Sequence, residues 1–322
     1  MRKSFGSSLA RSLEAFLAFK RGRGFRYERA EFMLRSFDRF VSRIDRRSGD
    51  VALDAAILGW LGSRPHRKPI SVSMDLSVIR EFWRFVHRRD PQHYNREPRW
   101  PRLPTEPDFV ARVLTPAEIR LLLRRIKRLA RPRFRSALYR ALFLVLYCTG
   151  LRFGEALRLR RRDVDLRRRV LFVDDSKGRS RWTPFHPSLE VELRRYLRAR
   201  DSFLNRIAGP DDHMFVAVSG RGLSKSTAST TLCRLFRDAG LKPRRGRVGP
   251  RTHDIRHTFA VHRLTRWYRQ GVDLHARLPW LSAYLGHVDL LGTETYLNAT
   301  PELLALAGDR LRRRYAENRR PR

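Results

Sequence analysis

Five short stretches of this chain carry residue types whose chemistry converges on a phosphodiester. They read Thr149-Gly150-Leu151-Arg152-Phe153-Gly154-Glu155, Asp175-Ser176-Lys177-Gly178-Arg179, His253-Asp254-Ile255-Arg256-His257, Leu285-Gly286-His287 and Thr295-Tyr296-Leu297. A phosphodiester repels nucleophiles, and its five-coordinate transition state concentrates further negative charge on the non-bridging oxygens. Arg152 and Arg256 offer planar forks suited to phosphate oxygens, and His253 and His287 can add hydrogen bonds, so side chains could meet that charge without a metal. His253 and Arg256 stand at the i, i+3 spacing that a helical turn aims at one point. Tyr296 is the candidate nucleophile, and its phenol, with an ordinary pKa of about 10, needs a base or a cationic setting to react. Attack would leave a 3′-phosphotyrosine and release a 5′-hydroxyl, whose alkoxide needs a proton from a general acid, the role expected of Lys177. The phosphotyrosyl link keeps the energy of the broken bond, so a second 5′-hydroxyl could reverse the step without ATP. No cofactor is expected.

Each motif alone is weak. A lysine in a hairpin turn is commonly a solvated charge, and Arg179 or Arg181 could serve the phosphate in its place. Glu155 reads as an orienting partner for a basic residue, and His257 as a supporting histidine. His253, His257 and His262 lack the HExxH spacing and any accompanying cysteine or carboxylate cluster, so no metal is expected. Gly220-Arg221-Gly222-Leu223-Ser224-Lys225-Ser226 lacks the glycine before the lysine that a P-loop requires and reads as a loop leading into a helix. Tyr284 and Tyr315 are alternative nucleophiles, but Tyr296 fits its neighbours best.

The elements that must position these residues are partly visible. The chain has 322 residues, more than one core usually organises, so two domains are expected. Lys and Arg number 70 against 32 acidic residues, a formal charge of +38, and such a surface repels itself unless a polyanion neutralises it. Because the charge is spread along the chain rather than gathered in one amphipathic helix, nucleic acid is the expected partner and a membrane is not. The longest apolar run, Ala141 to Cys148, is far short of the roughly 20 residues that span a bilayer. With no apolar leader and two cysteines, Cys148 and Cys233, without CxxC spacing, a reducing cytoplasm is expected.

From Leu9 to His87 apolar residues recur at helical spacing, as in Phe32, Leu34, Phe37, Phe40, Val41 and Ile44, then Ile79, Phe82, Trp83 and Val86. Pro91, Pro98, Pro101, Pro104 and Pro107 predict an extended linker. Thr115, Pro116 and Glu118 announce a helix start, with Leu114 and Ile119 as a hydrophobic staple. Ser136 to Cys148 reads as a buried helix stopped by Gly150. Val170 to Val173 and Arg181 to Phe185 read as strands around a Ser176-Lys177-Gly178-Arg179 turn. The remainder is helical in pattern, ending in a segment capped by Thr300 that carries Leu303, Leu304, Leu306 and Leu311.

Taken together and in this order, the five motifs resemble the active-site pattern of the tyrosine recombinases, the phage-integrase family. In that family the positions matching Arg152, Lys177, His253, Arg256, His287 and Tyr296 form the site, with the position of Glu155 in support. The resemblance implies a mainly α fold with a small β-sheet, an α+β catalytic domain, arranged as a two-domain C-shaped DNA clamp. It implies a helical, SAM-like core-binding domain at 1–90, a linker at 91–113, a catalytic domain at 114–300 and a protomer-exchanging tail at 301–322. It further implies double-stranded DNA as partner, a tetramer on two DNA sites, and a cytoplasmic, nucleoid-associated enzyme. The stretch Leu278 to His287, with Thr300 to Leu304, looks most like transposon integrases and would allow sister recombinases of the same element. A type IB topoisomerase-like relaxing enzyme, a chromosome or plasmid dimer-resolution recombinase and a catalytically silent DNA-binding module are the alternatives.

Overall fold

The computed structural model describes residues 4–48, 53–94, 97–98, 100–101, 112–129, 132–176, 179–246, 248–287, 289, 291–294, 296, 308–309 and 312. Among the described residues the chain is mainly helical with one three-stranded sheet, and it divides into two compact units, Met1–Phe109 and Val110–Arg322. Among the described residues no helix is long and apolar enough to cross a membrane.

The first unit is built from α1 (Ala10–Gly22), α2 (Glu28–Ser48), α3 (Leu53–Gly62) and α4 (Pro69–Arg89). Each contributes an apolar stripe: Leu13, Phe16 and Leu17; Leu34, Phe37 and Val41; Ile57 and Trp60; Leu76, Ile79, Phe82 and Val86. Edge-on rings lock them, Phe16 against Phe82 at 5.6 Å and Phe37 against Trp60 at 5.3 Å. Phe32, expected in the α2 stripe, is instead 72% exposed. Two residues from Leu34 it lies roughly 200° around the helix, on the face opposite the stripe. Of the linker prolines, Pro91 lies in a turn and Pro98 and Pro101 outside helix and strand, while Pro104 and Pro107 lie outside the described residues.

The second unit opens with α5 (Pro116–Lys127). Thr115 Oγ1 accepts from the Glu118 amide at 3.2 Å and Glu118 Oε2 accepts from the Thr115 amide at 2.8 Å, a reciprocal capping box with Pro116 at the first helical position. Leu114 and Ile119 both enter the core. Helix α6 (Arg133–Thr149) runs through that core and stops at Gly150, whose φ of +62° suits glycine. A Cβ there would also stand 2.4 Å from the Phe259 ring. After the short α7 (Phe153–Arg158) comes an antiparallel sheet of β1 (Val164–Asp165), β2 (Val170–Ser176) and β3 (Arg179–Pro184) in sequential order. Strand β1 is too short to show in the sequence pattern. The hairpin turn, Lys177 and Gly178, lies outside the described residues.

Helices α8 (Pro187–Leu204) and α9 (Lys225–Asp238) complete the larger core. Ser224 Oγ caps α9 by accepting from the Thr227 amide at 3.1 Å, so the glycine-containing stretch before it is a loop and a helix start. Helices α10 (Thr252–Arg269) and α11 (Leu274–Leu285), followed by α12 (Leu291–Glu294), form a second cluster around Phe259, Leu264, Leu281 and Leu285. The Thr258 hydroxyl on α10 accepts from the Leu114 amide at 3.0 Å and ties the entrance of α5 to this cluster. Leu303, Leu304, Leu306 and Leu311 lie outside the described residues.

Candidate active site

Helix ends do the positioning. The last carbonyls of a helix have no partner of their own and carry the negative end of its dipole, so they attract guanidinium groups. Arg256, in the first turns of α10, is 2% exposed and donates through Nη1 to the carbonyl of Gly150, which ends α6, and through Nη2 to that of Leu285, which ends α11, both at 2.8 Å. Arg152 stands at the mouth of α7 and donates through Nη2 to the Gly286 carbonyl at 2.6 Å. Two helix C-termini thus hold two arginines that lie 104 positions apart in sequence. Burial pushes the Arg256 pKa down and the nearby Tyr296 pushes it back up, but a guanidinium starts high enough to keep its charge.

Glu155, 3% exposed, is the carboxylate that registers the arginines. Its Oε2 accepts from the Arg152 amide at 2.9 Å, capping α7, and its Oε1 accepts from Arg152 Nη1 at 2.7 Å. The other approach comes from Arg181 on β3, whose Nη2 reaches Oε2 at 2.8 Å and Nη1 reaches Oε1 at 3.3 Å. Arg181 Nε donates to the Tyr284 carbonyl at 2.9 Å, near the end of α11. Its head is therefore committed to Glu155 and a carbonyl, not offered outward as the sequence had allowed. The sequence signal for Arg181 is the period of two: Arg181, Thr183 and Phe185 point inward while Trp182 and Pro184 point out, and an arginine on the inward face needs a buried acid.

The first turn of α10 is capped by Asp254, whose Oδ2 accepts from the Arg251 amide at 2.7 Å. That turn presents His253 and, one turn on, His257, their rings edge-on at 4.8 Å. Partial burial and the surrounding cations, Arg256 first among them, lower the His253 pKa. The same causes, burial and then His253, bring His257 down to about 4. At neutral pH His257 is therefore uncharged. His287 follows Gly286, the left-handed cap of α11 at φ +68°, and its Nδ1 lies 2.6 Å from the Thr293 hydroxyl on α12.

Tyr296 is 2% exposed and lies close enough to Arg256 to offset part of the lowering of that guanidinium's pKa. Its amide donates to the Thr293 carbonyl at 3.0 Å. The His257 ring meets it edge-on at 5.1 Å and the His287 ring lies nearly parallel at 5.9 Å. The fold thus gathers Arg152, Glu155, His253, Arg256, His257, His287 and Tyr296, while Lys177 lies outside the described residues. Thr293, which joins His287 to the tyrosine segment, had no signal in the sequence beyond its proximity to both. Of the alternative tyrosines, Tyr284 donates its hydroxyl to the Pro184 carbonyl at 2.8 Å and burial raises its pKa, and Tyr315 lies outside the described residues. Among the described residues no group of His, Cys, Asp and Glu is arranged to hold a metal ion.

A tyrosine set among arginines and histidines, on a helical unit carrying a small antiparallel sheet, defines a DNA-breaking and rejoining enzyme of the tyrosine class. Residues 112–302 match the phage integrase family, and the chain belongs to that family, the tyrosine recombinases. The protein y4rB of Sinorhizobium fredii, named as an integrase/recombinase, is 34% identical over 319 residues, spanning 97% of this chain and 99% of that protein. Tyrosine recombinase XerA of Thermococcus onnurineus is 31% identical over 245 residues, 75% of each chain. Among solved structures, the Tn1549 transposon integrase in complex with transposon right-end DNA superposes with a TM-score of 0.62 at 18% identity, covering 93% of this chain and 99% of that one. The XerH site-specific recombinase bound to difH gives 0.61 at 18% identity, over 82% and 74%. At that identity the likeness shows the fold alone.

Proposed function

We propose that this chain moves a mobile element by cutting and rejoining double-stranded DNA at specific sites, with Tyr296 as the nucleophile. The observation that carries the chemistry is the seat of Tyr296, buried beside the Arg256 guanidinium and walled by two imidazoles. Arg256 stabilises the phenolate as its proton passes to the His287 imidazole, and the tyrosine oxygen attacks the phosphorus. Arg152 and Arg256 meet the charge on the non-bridging oxygens, with His253 and His287 adding hydrogen bonds. The bond to the 5′ oxygen breaks as Lys177 protonates it, leaving a 3′-phosphotyrosine and a free 5′-hydroxyl. A 5′-hydroxyl from a second duplex then reverses the step on the new partner. Glu155 orients Arg152, and His257 is a neutral wall to the tyrosine.

Two sites joined in this way call for a tetramer, with the two units closing on DNA and the segment after Thr300 reaching a neighbouring protomer or a sister recombinase. The mobile-element role is supported by the end-to-end match to y4rB, named as an integrase/recombinase. Dimer resolution is the second reading, favoured by the relatives named XerA and XerC. Trapping covalent complexes on a nicked random-sequence DNA library and sequencing the attached strands tests both. Sites matching the ends of a mobile element support the proposal, and a single chromosomal site supports dimer resolution. Binding without covalent attachment refutes the chemistry, and relaxed plasmids without recombinants favour a swivelling topoisomerase.

A further inference from the structure

We infer that Arg181 is a positioning residue of the reaction, holding the Arg152 guanidinium in register through Glu155. The inference rests on the transesterase reading above. Arg181 occupies an inward position on β3, opposite buried Val173, and its side chain is 11% exposed. Its three contacts join separate elements: two to Glu155 of α7 and one to the Tyr284 carbonyl of α11. The peptide that follows Tyr284 and Leu285 carries Gly286, whose carbonyl accepts Arg152 Nη2. A Cβ at 286 would stand 2.6 Å from Arg181 Nη1, so glycine there also makes room for this guanidinium.

The geometry forms a closed circuit. Arg181 fixes Glu155 from one side, Glu155 fixes Arg152 from the other, and both arginines end on adjacent stretches of α11 backbone. Arg152 alone could pull the Glu155 carboxylate toward itself or swing out to solvent, because its side chain is 20% exposed. With Arg181 bound, both carboxylate oxygens are occupied on fixed lines and the fork of Arg152 has one orientation left. A displacement of about 1 Å in such a group can cost on the order of 100-fold in rate.

The test is a double-mutant cycle read in covalent attachment to nicked DNA, with affinity and thermal melting measured beside it. Arg181→Gln should slow attachment about 100-fold with DNA affinity kept within about threefold, and Arg181→Lys, which keeps a cation on Glu155, should recover part of the loss. Because Arg181 acts through Arg152, the Arg181→Gln/Arg152→Gln double variant should be no slower than Arg152→Gln alone. Additive losses would overturn the inference. So would a defect cured by a 5′-bridging phosphorothiolate, whose sulfur leaves without a proton, because that would tie Arg181 to the general acid. Should Arg181→Gln melt early, Arg181→Lys carries the same cycle, and full activity there would equally overturn the inference. A wild-type chain that never attaches to DNA refutes the transesterase reading itself, and is told apart by needing no variant.

Discussion

Both units bury charge, but in a different balance: among the described residues the first buries only carboxylates, while the second buries Arg200, Arg256 and Lys242 beside Glu155 and Asp254. In the first, the buried charged groups are carboxylates wrapped by donors. Asp38, 5% exposed, accepts from the Gly6 and Ser7 amides and the Ser7 hydroxyl, the last at 2.7 Å, which pins the N-terminal segment to α2. Asp75 takes Arg67 at 2.6 Å and Arg64 at 3.4 Å. In the second, arginines crowd one carboxylate, Glu155, and lean on backbone carbonyls for the rest. A balanced buried pair is a stability device, costly to break from one side. Guanidinium groups gathered in this way include, under the proposed function, those that meet a DNA phosphate. The contrast separates residues whose loss should unfold the protein from residues whose loss should stop its chemistry.

The largest expected effect falls wholly on the chemical side. Tyr296→Phe should remove covalent attachment to below detection while DNA affinity and melting temperature stay near those of the wild type, since one hydroxyl leaves a pocket otherwise intact. Covalent product persisting in that variant would move the nucleophile elsewhere. Next comes Arg256→Lys. One ammonium cannot serve both the Gly150 and Leu285 carbonyls in the planar arrangement of the fork that stands beside Tyr296, so attachment should slow about 100- to 1000-fold. A drop confined to DNA affinity would make Arg256 a binding residue only. On the structural side, Asp38→Ala should leave attachment per folded molecule unchanged and cost about 1–3 kcal/mol by stranding the Gly6 and Ser7 donors, seen as an earlier melt of the first unit. Equal effects of both substitutions on stability and on rate would dissolve the contrast.

How much of this could be read beforehand follows the range of the interactions. The start of α5 at Thr115, Pro116 and Glu118 and the stop of α6 at Gly150 are local devices complete within a few residues, and they were legible. The side of α2 taken by Phe32 was not, because counting apolar residues in a window ignores the angle at which each stands. The ordered motifs pointed to arginines, histidines and a tyrosine that the fold brings together in the candidate site. They could not point to what holds them, since the anchors are carbonyls of Gly150, Tyr284, Leu285 and Gly286, and every residue type has a carbonyl. Arg181 was within reach of the strand alternation, but the alternation gains meaning only once Glu155 is known to lie beneath it.

The smallest effect concerns His257 and acid. Its pKa falls from about 6.5 in an unfolded chain to about 4 in place, first through burial and then through His253 and Arg256. Between those values the unfolded chain binds a proton that the folded chain refuses, so stability rises with pH across the window and is lost as pH falls from about 6.5 toward 4. His253, also lowered, adds to the same slope. Burial sets the largest part of the slope, and the neighbouring charges, His253 and Arg256 for His257 and Arg256 for His253, add to it. His257→Asn should flatten the pH dependence of the urea midpoint between about pH 6.5 and 4.5. Asp38→Ala should lower the midpoint at every pH without flattening it. An unchanged slope in His257→Asn would assign the acid sensitivity to other groups and leave the imidazole as packing alone. DNA bound at the site should also flatten the slope in the wild type, because its phosphates offset Arg152 and Arg256 and let the histidines take up protons while folded.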